Sequence, residues 1–197
     1  GIKISKQEKK YYWQLAMPTL FVVGLFGTLA SISSFYIKAL VDVMASGIFY
    51  YYQANFLTWQ TPEVDQEFFT LTVGLLVLIP IWSLNFFFHF PGWVTTLSTS
   101  FCFFLIFIHV FYKINVPSKF LWALVSILIL VELNAAVLYW PVHFFTAAVM
   151  VFSGFYLLYV LTVLYYSHRL TAKRIYFHTA LAFAVAIGAV SSSMWGI

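Results

Sequence analysis

The sequence predicts an all-α, polytopic transmembrane helical bundle that forms a single integral membrane domain over residues 1–197. Of these residues, 63% are hydrophobic and only 8% are charged, whereas a soluble domain carries roughly 25% charged residues. The apolar runs are long and unbroken, which excludes the short alternating segments of a transmembrane β-barrel. Disorder is excluded because disordered chains contain few apolar residues and many charges.

Seven segments are long and apolar enough to be considered as membrane-spanning helices, each of which needs about 20 such residues. In order along the chain, they are residues 11–32, 33–55, 67–90, 92–112, 118–140, 141–167 and 174–196. A polar loop separates the second from the third. The later breaks fall at Pro91, Pro117 and Pro141, and proline fits the start of a helix because its missing N–H costs nothing there.

The helix count depends on residues 33–55, which contain two charges. Lysine and arginine concentrate on the cytoplasmic side of membrane proteins. If this segment spans, nine of the ten basic residues fall on one side; if it lies on the membrane surface, six helices remain and the bias disappears. Seven helices are therefore predicted, with the N-terminus cytoplasmic and the C-terminus outside, in a cell or organelle membrane.

The two charges in that segment are Lys38 and Asp42. Their i, i+4 spacing places them on one helix face, where they can form an ion pair. Lys38 is close enough to the outer end of the helix to extend its ammonium into the interface. Two alternatives remain: the segment lies flat on the outer surface, or one charge is functional.

Glu132 is the leading candidate for a functional site. It lies deep in the fifth segment, and an ionisable group at such depth is costly and by default suggests a functional site. A transport path would combine it with Asn134, Asn85 and carbonyls exposed at a kink at Pro80. The alternative is a structural role, with Glu132 protonated or hydrogen-bonded to Asn134 or a neighbouring serine, and with the carbonyl that Pro80 frees one turn earlier bonded by a neighbouring side chain or water.

Histidines near the predicted helix ends raise the question of a cofactor. His89 and His143 fall at outer ends, whereas His109 and His178 fall at inner ends. Each pair could supply the two axial ligands of a haem b, with one haem near each side of the membrane, or could bind another metal. None of these histidines shares a helix with another at metal-ligand spacing, so no cofactor is predicted.

Other chemistry finds little support in the sequence. There is no G-x-S-x-G motif and no glycine-rich phosphate loop, so an enzyme is disfavoured. Nucleic acid is not an expected partner, because no basic stripe with interleaved aromatic residues exists. A basic cluster precedes the first segment and is expected to contact anionic lipids; it comprises Lys3, Lys6, Lys9 and Lys10.

These observations favour a non-catalytic integral membrane subunit or scaffold that packs against membrane lipids, other membrane protein subunits or copies of itself. Its 23 phenylalanine and 13 tyrosine side chains offer extensive apolar contact surface. The alternative function is a small transporter or channel that uses the intramembrane carboxylate of Glu132.

Overall fold

A computed structural model describes residues 6–58, 63–114 and 116–193, with side chains described for residues 16–54, 67–114 and 116–193. These residues form seven α-helices and no strand. They are α1 (Lys6–Ser31), α2 (Phe35–Thr58), α3 (Glu63–Phe88), α4 (Gly92–Lys113), α5 (Lys119–Leu138), α6 (Phe144–Tyr166) and α7 (Ala172–Ser192). The predicted all-α bundle of seven helices is confirmed.

The observed helix ends differ from the predicted ones by a few residues. α3 begins at Glu63, inside the predicted polar loop. The prediction that the sixth helix starts at Pro141 is wrong: α6 starts at Phe144, after the N-cap residue His143. His143 accepts a hydrogen bond from the backbone N–H of Phe145, so this side chain satisfies a donor that the helix start leaves without a partner.

Among the described residues, five segments are long and apolar enough to cross a membrane, and they lie in α3 to α7. This finding supports a multi-pass membrane protein. α2 is not among the five, yet it folds back along the bundle. Phe49 of α2 stacks on Phe21 of α1 at 5.1 Å, and Tyr52 stacks on Phe69 in the first turns of α3 at 3.7 Å. This course favours a seven-helix arrangement over a second helix lying flat on the outer surface.

Basic residues mark one end of the bundle, which we call the basic end. α3, α5 and α7 begin there, and α4 and α6 end there. It carries five of the six basic side chains that the structure describes: Lys113, Lys119, Arg169, Lys173 and Arg174. Lys38 lies near the opposite end. The helix order therefore groups the basic residues as predicted, while the side of the membrane that they face stays a prediction.

α3 occupies the centre of the bundle, in contact with α1, α2, α4 and α6. Its closest neighbour is α1, because two glycines of α1 allow the backbones to approach. A Cβ atom at Gly24 would lie 2.9 Å from the backbone carbon of Leu76, and one at Gly27 would lie 2.5 Å from the Cβ of Pro80. Small residues at such contacts favour the association of membrane helices.

α2 and α7 are much less covered by neighbouring helices than α3 is. α2 makes few contacts with α1 and α3, and α7 packs against α6. Only 6% of the spanning window of α7 is buried, against 44% for α3. Within the described part of the chain, most of the surface of α7 is therefore available to lipid or to another protein.

Candidate functional site

Glu132 lies on the outward face of α5, not in the interior of the bundle. It is six residues before the end of α5, or roughly 9 Å along the axis at 1.5 Å per residue. Its neighbours on this face, one turn towards the basic end, are the exposed apolar side chains of Leu128 and Ile129. No hydrogen bond or ion pair to Glu132 is present among the described residues. The carboxyl group therefore faces the region that lipid or a partner occupies.

Asn134 and Asn85, which were predicted to share a path with Glu132, lie in a different environment. Asn134 is 1% exposed and donates a hydrogen bond from Nδ2 to Thr96 Oγ1 at 2.9 Å. Its Oδ1 has no hydrogen-bond partner among the described residues. Asn85 donates from Nδ2 to the carbonyl oxygen of Phe90 at 2.8 Å. Residues two positions apart in the sequence of an α-helix point in directions roughly 200° apart around its axis. Asn134 therefore faces inward, whereas Glu132 faces outward.

Asn85 and Thr96 line one cavity of about 410 Å³ at the end opposite the basic end, together with Gly92, Trp93, Ala135, Leu138 and Tyr139. The structure thus brings the Asn85 and Asn134–Thr96 groups towards the same region between α3, α4 and α5. It does not bring Glu132 into that region.

The carbonyl that Pro80 frees on α3 is bonded by a neighbouring helix. Proline has no N–H, so the carbonyl of Leu76 loses its usual helical partner. Thr28 of α1 replaces it by donating from Oγ1 to the Leu76 oxygen at 3.0 Å, in a buried position. Nearby, the hydroxyl groups of Ser31 and Ser83 form a hydrogen bond at 2.6 Å. The freed carbonyl is therefore part of the α1–α3 contact, as in the structural alternative.

The histidines have separate surroundings. His89 is exposed in the connection from α3 to α4, at a φ of 51°, and the ring of His143 packs on Phe144 at 4.2 Å. His178 of α7 forms a hydrogen bond through Nδ1 with the Tyr156 hydroxyl at 2.7 Å. Among the described residues, no group of three or more His, Cys, Asp or Glu side chains is arranged to hold a metal ion.

Two further groups of residues were predicted to be functional: the charged residues of α2 and the N-terminal lysine cluster. Lys38 is partly buried and Asp42 is exposed on α2, and their pairing stays a prediction. The lysine cluster predicted to contact lipid lies outside the described side chains: it comprises Lys3, Lys6, Lys9 and Lys10.

A polar cavity at the basic end, which we call the basic-end pocket, was not predicted. Its volume is about 220 Å³ and it lies between α1, α2, α3, α4 and α6. Besides three tyrosines, one acidic and two basic side chains line it: Glu67 from α3, and His109 and Lys113 from α4. The complete lining is Met17, Tyr52, Glu67, Phe69, Thr70, His109, Val110, Lys113, Ile114, Tyr159, Val163, Tyr166 and Ser167.

The polar groups of this pocket interact across helices. The carboxylate of Glu67 acts electrostatically on the hydroxyl groups of Tyr156 and Tyr159, both on α6. Thr70 forms a side-chain hydrogen bond with Tyr159. The sequence carries one signal of this site: His109 and Lys113 are four residues apart and therefore share a helix face. The contribution of Glu67 depends on how α3 packs against α4 and α6, which spacing alone does not show.

An aromatic layer closes the basic-end pocket towards the middle of the bundle. It consists of Phe103, Phe107 and Phe155, each 0% exposed. Phe103 stacks on Phe155 at 4.4 Å, and the rings of Phe107 and Phe155 are 5.6 Å apart. Gly74 makes room for this layer, because a Cβ atom there would lie 2.6 Å from the Phe155 ring. Fully buried phenyl rings therefore separate this pocket from the Asn134 region.

Comparisons of the chain with protein-family models, with curated proteins and with solved structures found no match. Function must therefore be inferred from the arrangement of the residues themselves.

Proposed function

We propose that this protein is a non-catalytic integral membrane subunit that binds another membrane protein through the outward face of α5. The observation that carries the proposal is the outward position of Glu132 within a membrane-spanning helix. The partner would be a distinct polypeptide with a spanning helix. It would bring a basic or amide side chain to the depth of Glu132.

The energetics of a carboxyl group in the bilayer support this proposal. An aspartate, lysine or arginine near the centre of a spanning helix costs about 2.5–3.5 kcal/mol on insertion scales. Such groups usually face a bundle interior or pair with another polar group. Glu132 faces neither the interior nor a polar group of the described chain, so a partner that supplies a hydrogen-bond donor would offset the cost.

The surroundings of Glu132 suit contact with another helix. Leu121, Leu124 and Leu128 are all more than half exposed on α5, so the carboxyl group is surrounded by an apolar surface. Lipid tails solvate such a surface as well as a protein does, and specificity between membrane helices comes from packing and polar contacts. Glu132 would supply the polar contact and the leucines the packing.

A transport path through the bundle is less well supported. It would need Glu132 to join the inward-facing Asn134, and the aromatic layer lies between that region and the basic-end pocket. Both features are arguments against this alternative.

The test is photocrosslinking in intact membranes, with a photoreactive amino acid at Leu128 and, as a control, at Ile187 on α7, since the two positions are equally exposed. We expect a protein adduct from position 128. Glu132→Leu should abolish it, whereas Glu132→Gln should retain it because glutamine both donates and accepts hydrogen bonds. An adduct that survives Glu132→Leu would contradict the role of Glu132 in the contact, and an adduct made of two copies of this chain would contradict the proposal of a distinct partner.

A further inference from the structure

We propose that the basic-end pocket binds a zwitterionic ligand, whose ammonium group contacts Glu67 and whose phosphate or carboxylate group contacts Lys113 and His109. The proposal concerns a different site from the α5 surface and stands independently of it. It rests on the charges of the lining, on the size and closure of the cavity, and on its depth in the membrane.

The charges of the pocket stand on two separate helices and border the same space. Glu67 comes from the beginning of α3, and Lys113 comes from the end of α4, with His109 one turn before it. With neutral histidine, the three groups carry no net charge. A ligand that also carries one positive and one negative group complements this lining without adding net charge to a partly buried site.

The cavity has room for such a ligand. Its volume of about 220 Å³ is several times the roughly 30 Å³ that one water molecule occupies in the liquid. Tyr52, Tyr159 and Tyr166 line it, and a tyrosine hydroxyl group can orient an anionic group or an ammonium group by a hydrogen bond. Because the aromatic layer closes the cavity on the inner side, the pocket is suited to holding a ligand and not to passing it across the membrane.

The depth of the cavity fits the polar surface of a bilayer. Glu67 is the last charged residue before the apolar run of α3, and Lys113 and Tyr166 are the last residues of α4 and α6. The ends of spanning segments lie where phospholipid headgroups are found. Met17, Val110 and Val163 add apolar lining that suits the carbon skeleton of the ligand. An ethanolamine phospholipid headgroup and the free zwitterion glycerophosphoethanolamine share the required chemistry, because each has one phosphodiester anion and one ammonium group.

The experiment is native mass spectrometry of the full chain released from micelles that contain equal amounts of ethanolamine, choline and glycerol phospholipids. Because a hydrogen bond to a charged group strengthens binding more than one between neutral groups, we expect the ethanolamine lipid to be retained about tenfold over the choline lipid. The quaternary ammonium group of choline has no N–H to donate to Glu67. In a parallel arm, glycerophosphoethanolamine is added to delipidated protein, and the unfolding temperature is measured.

Two variants and two matched controls test the residues. Glu67→Gln and Lys113→Gln should each lower retention of the ethanolamine lipid about tenfold. Glu132→Gln removes a carboxylate outside the pocket, and Lys119→Gln removes a basic-end ammonium that lies over the Tyr112 ring at 4.2 Å; both should retain the lipid as the unsubstituted protein does. Retention of the lipid alone identifies a lipid ligand, and a raised unfolding temperature with glycerophosphoethanolamine identifies a soluble one.

Several outcomes would overturn the proposal. These are equal retention of ethanolamine and choline lipids together with no response to glycerophosphoethanolamine, preferential retention of the anionic glycerol lipid, or full retention by both pocket variants. If the variants do not fold, a series of ethanolamine lipids with one, two and three N-methyl groups tests the unsubstituted protein. Retention must then fall as N–H donors are lost, and constant retention overturns the proposal.

Discussion

Two consecutive residues of α6 face the two most different parts of this molecule. Phe155 is fully buried and packs into the aromatic layer with Phe103 and Phe107. Tyr156, the next residue, faces α7 and forms a hydrogen bond with His178. The first residue belongs to a close-packed core, whereas the second holds a helix whose spanning window is only 6% buried.

The difference shows that apolar composition does not report packing in a membrane protein. α3 and α7 both qualify as spanning segments, with mean hydropathies of 2.0 and 1.6. Lipid tails are as apolar as a protein core, so burial of a membrane helix is decided by shape and by polar contacts. α3 has the glycines of α1 against it, whereas a Cβ atom at Gly188 of α7 would meet nothing within 4 Å.

The largest expected effect on stability comes from removing one ring of the aromatic layer. Phe155→Ala should lower the free energy of unfolding by about 3 kcal/mol, because it leaves a cavity among fully buried rings. The matched control is Phe183→Ala on α7, where the side chain is 62% exposed and where lipid replaces the lost contacts. Thermal unfolding in mild detergent, followed by tryptophan fluorescence, measures both. Equal destabilisation by the two variants would remove the distinction between core and α7.

A smaller effect is expected from overpacking the α1–α3 contact. Gly24→Val should destabilise the protein by about 1–3 kcal/mol, since its Cβ atom would already lie 2.9 Å from backbone atoms of α3. Gly188→Val makes the same change on α7 in open space and should be close to neutral. The same unfolding measurement applies. A neutral Gly24→Val would show that α1 and α3 are not held at the distance described.

Much of the fold could be predicted from the sequence because bilayer thickness sets the length of spanning helices. The helix order and approximate ends follow from apolar runs and from prolines, and the grouping of basic residues follows from the alternation of helix direction. Such patterns constrain one helix at a time. The two-residue spacing of Glu132 and Asn134 already places them on different faces of α5, but the sequence does not specify which of these faces packs inward.

The candidate sites were less predictable for the same reason. The basic-end pocket combines Glu67, His109 and Lys113 with tyrosines from α2 and α6, so it depends on contacts between helices far apart in the sequence. Thr28 likewise satisfies the carbonyl of Leu76 from 48 positions away in the chain. Depth in the membrane is visible in a sequence, whereas rotation about each helix axis is set by packing.

The smallest expected effect concerns the contact that holds α7. Tyr156→Phe removes the hydroxyl group that lies 2.7 Å from His178 Nδ1, and hydrogen bonds between membrane helices contribute about 0.6 kcal/mol on average. The global unfolding temperature should therefore change little. Release of α7 should instead show at Ala182, which is buried against the bundle: in an Ala182→Cys background, thiol labelling should accelerate about threefold. Tyr165→Phe, at an exposed position, is the control and should leave the labelling rate unchanged. Unchanged labelling in Tyr156→Phe, combined with a large loss of global stability, would mean that α7 unfolds together with the core and that the two faces of α6 are energetically alike.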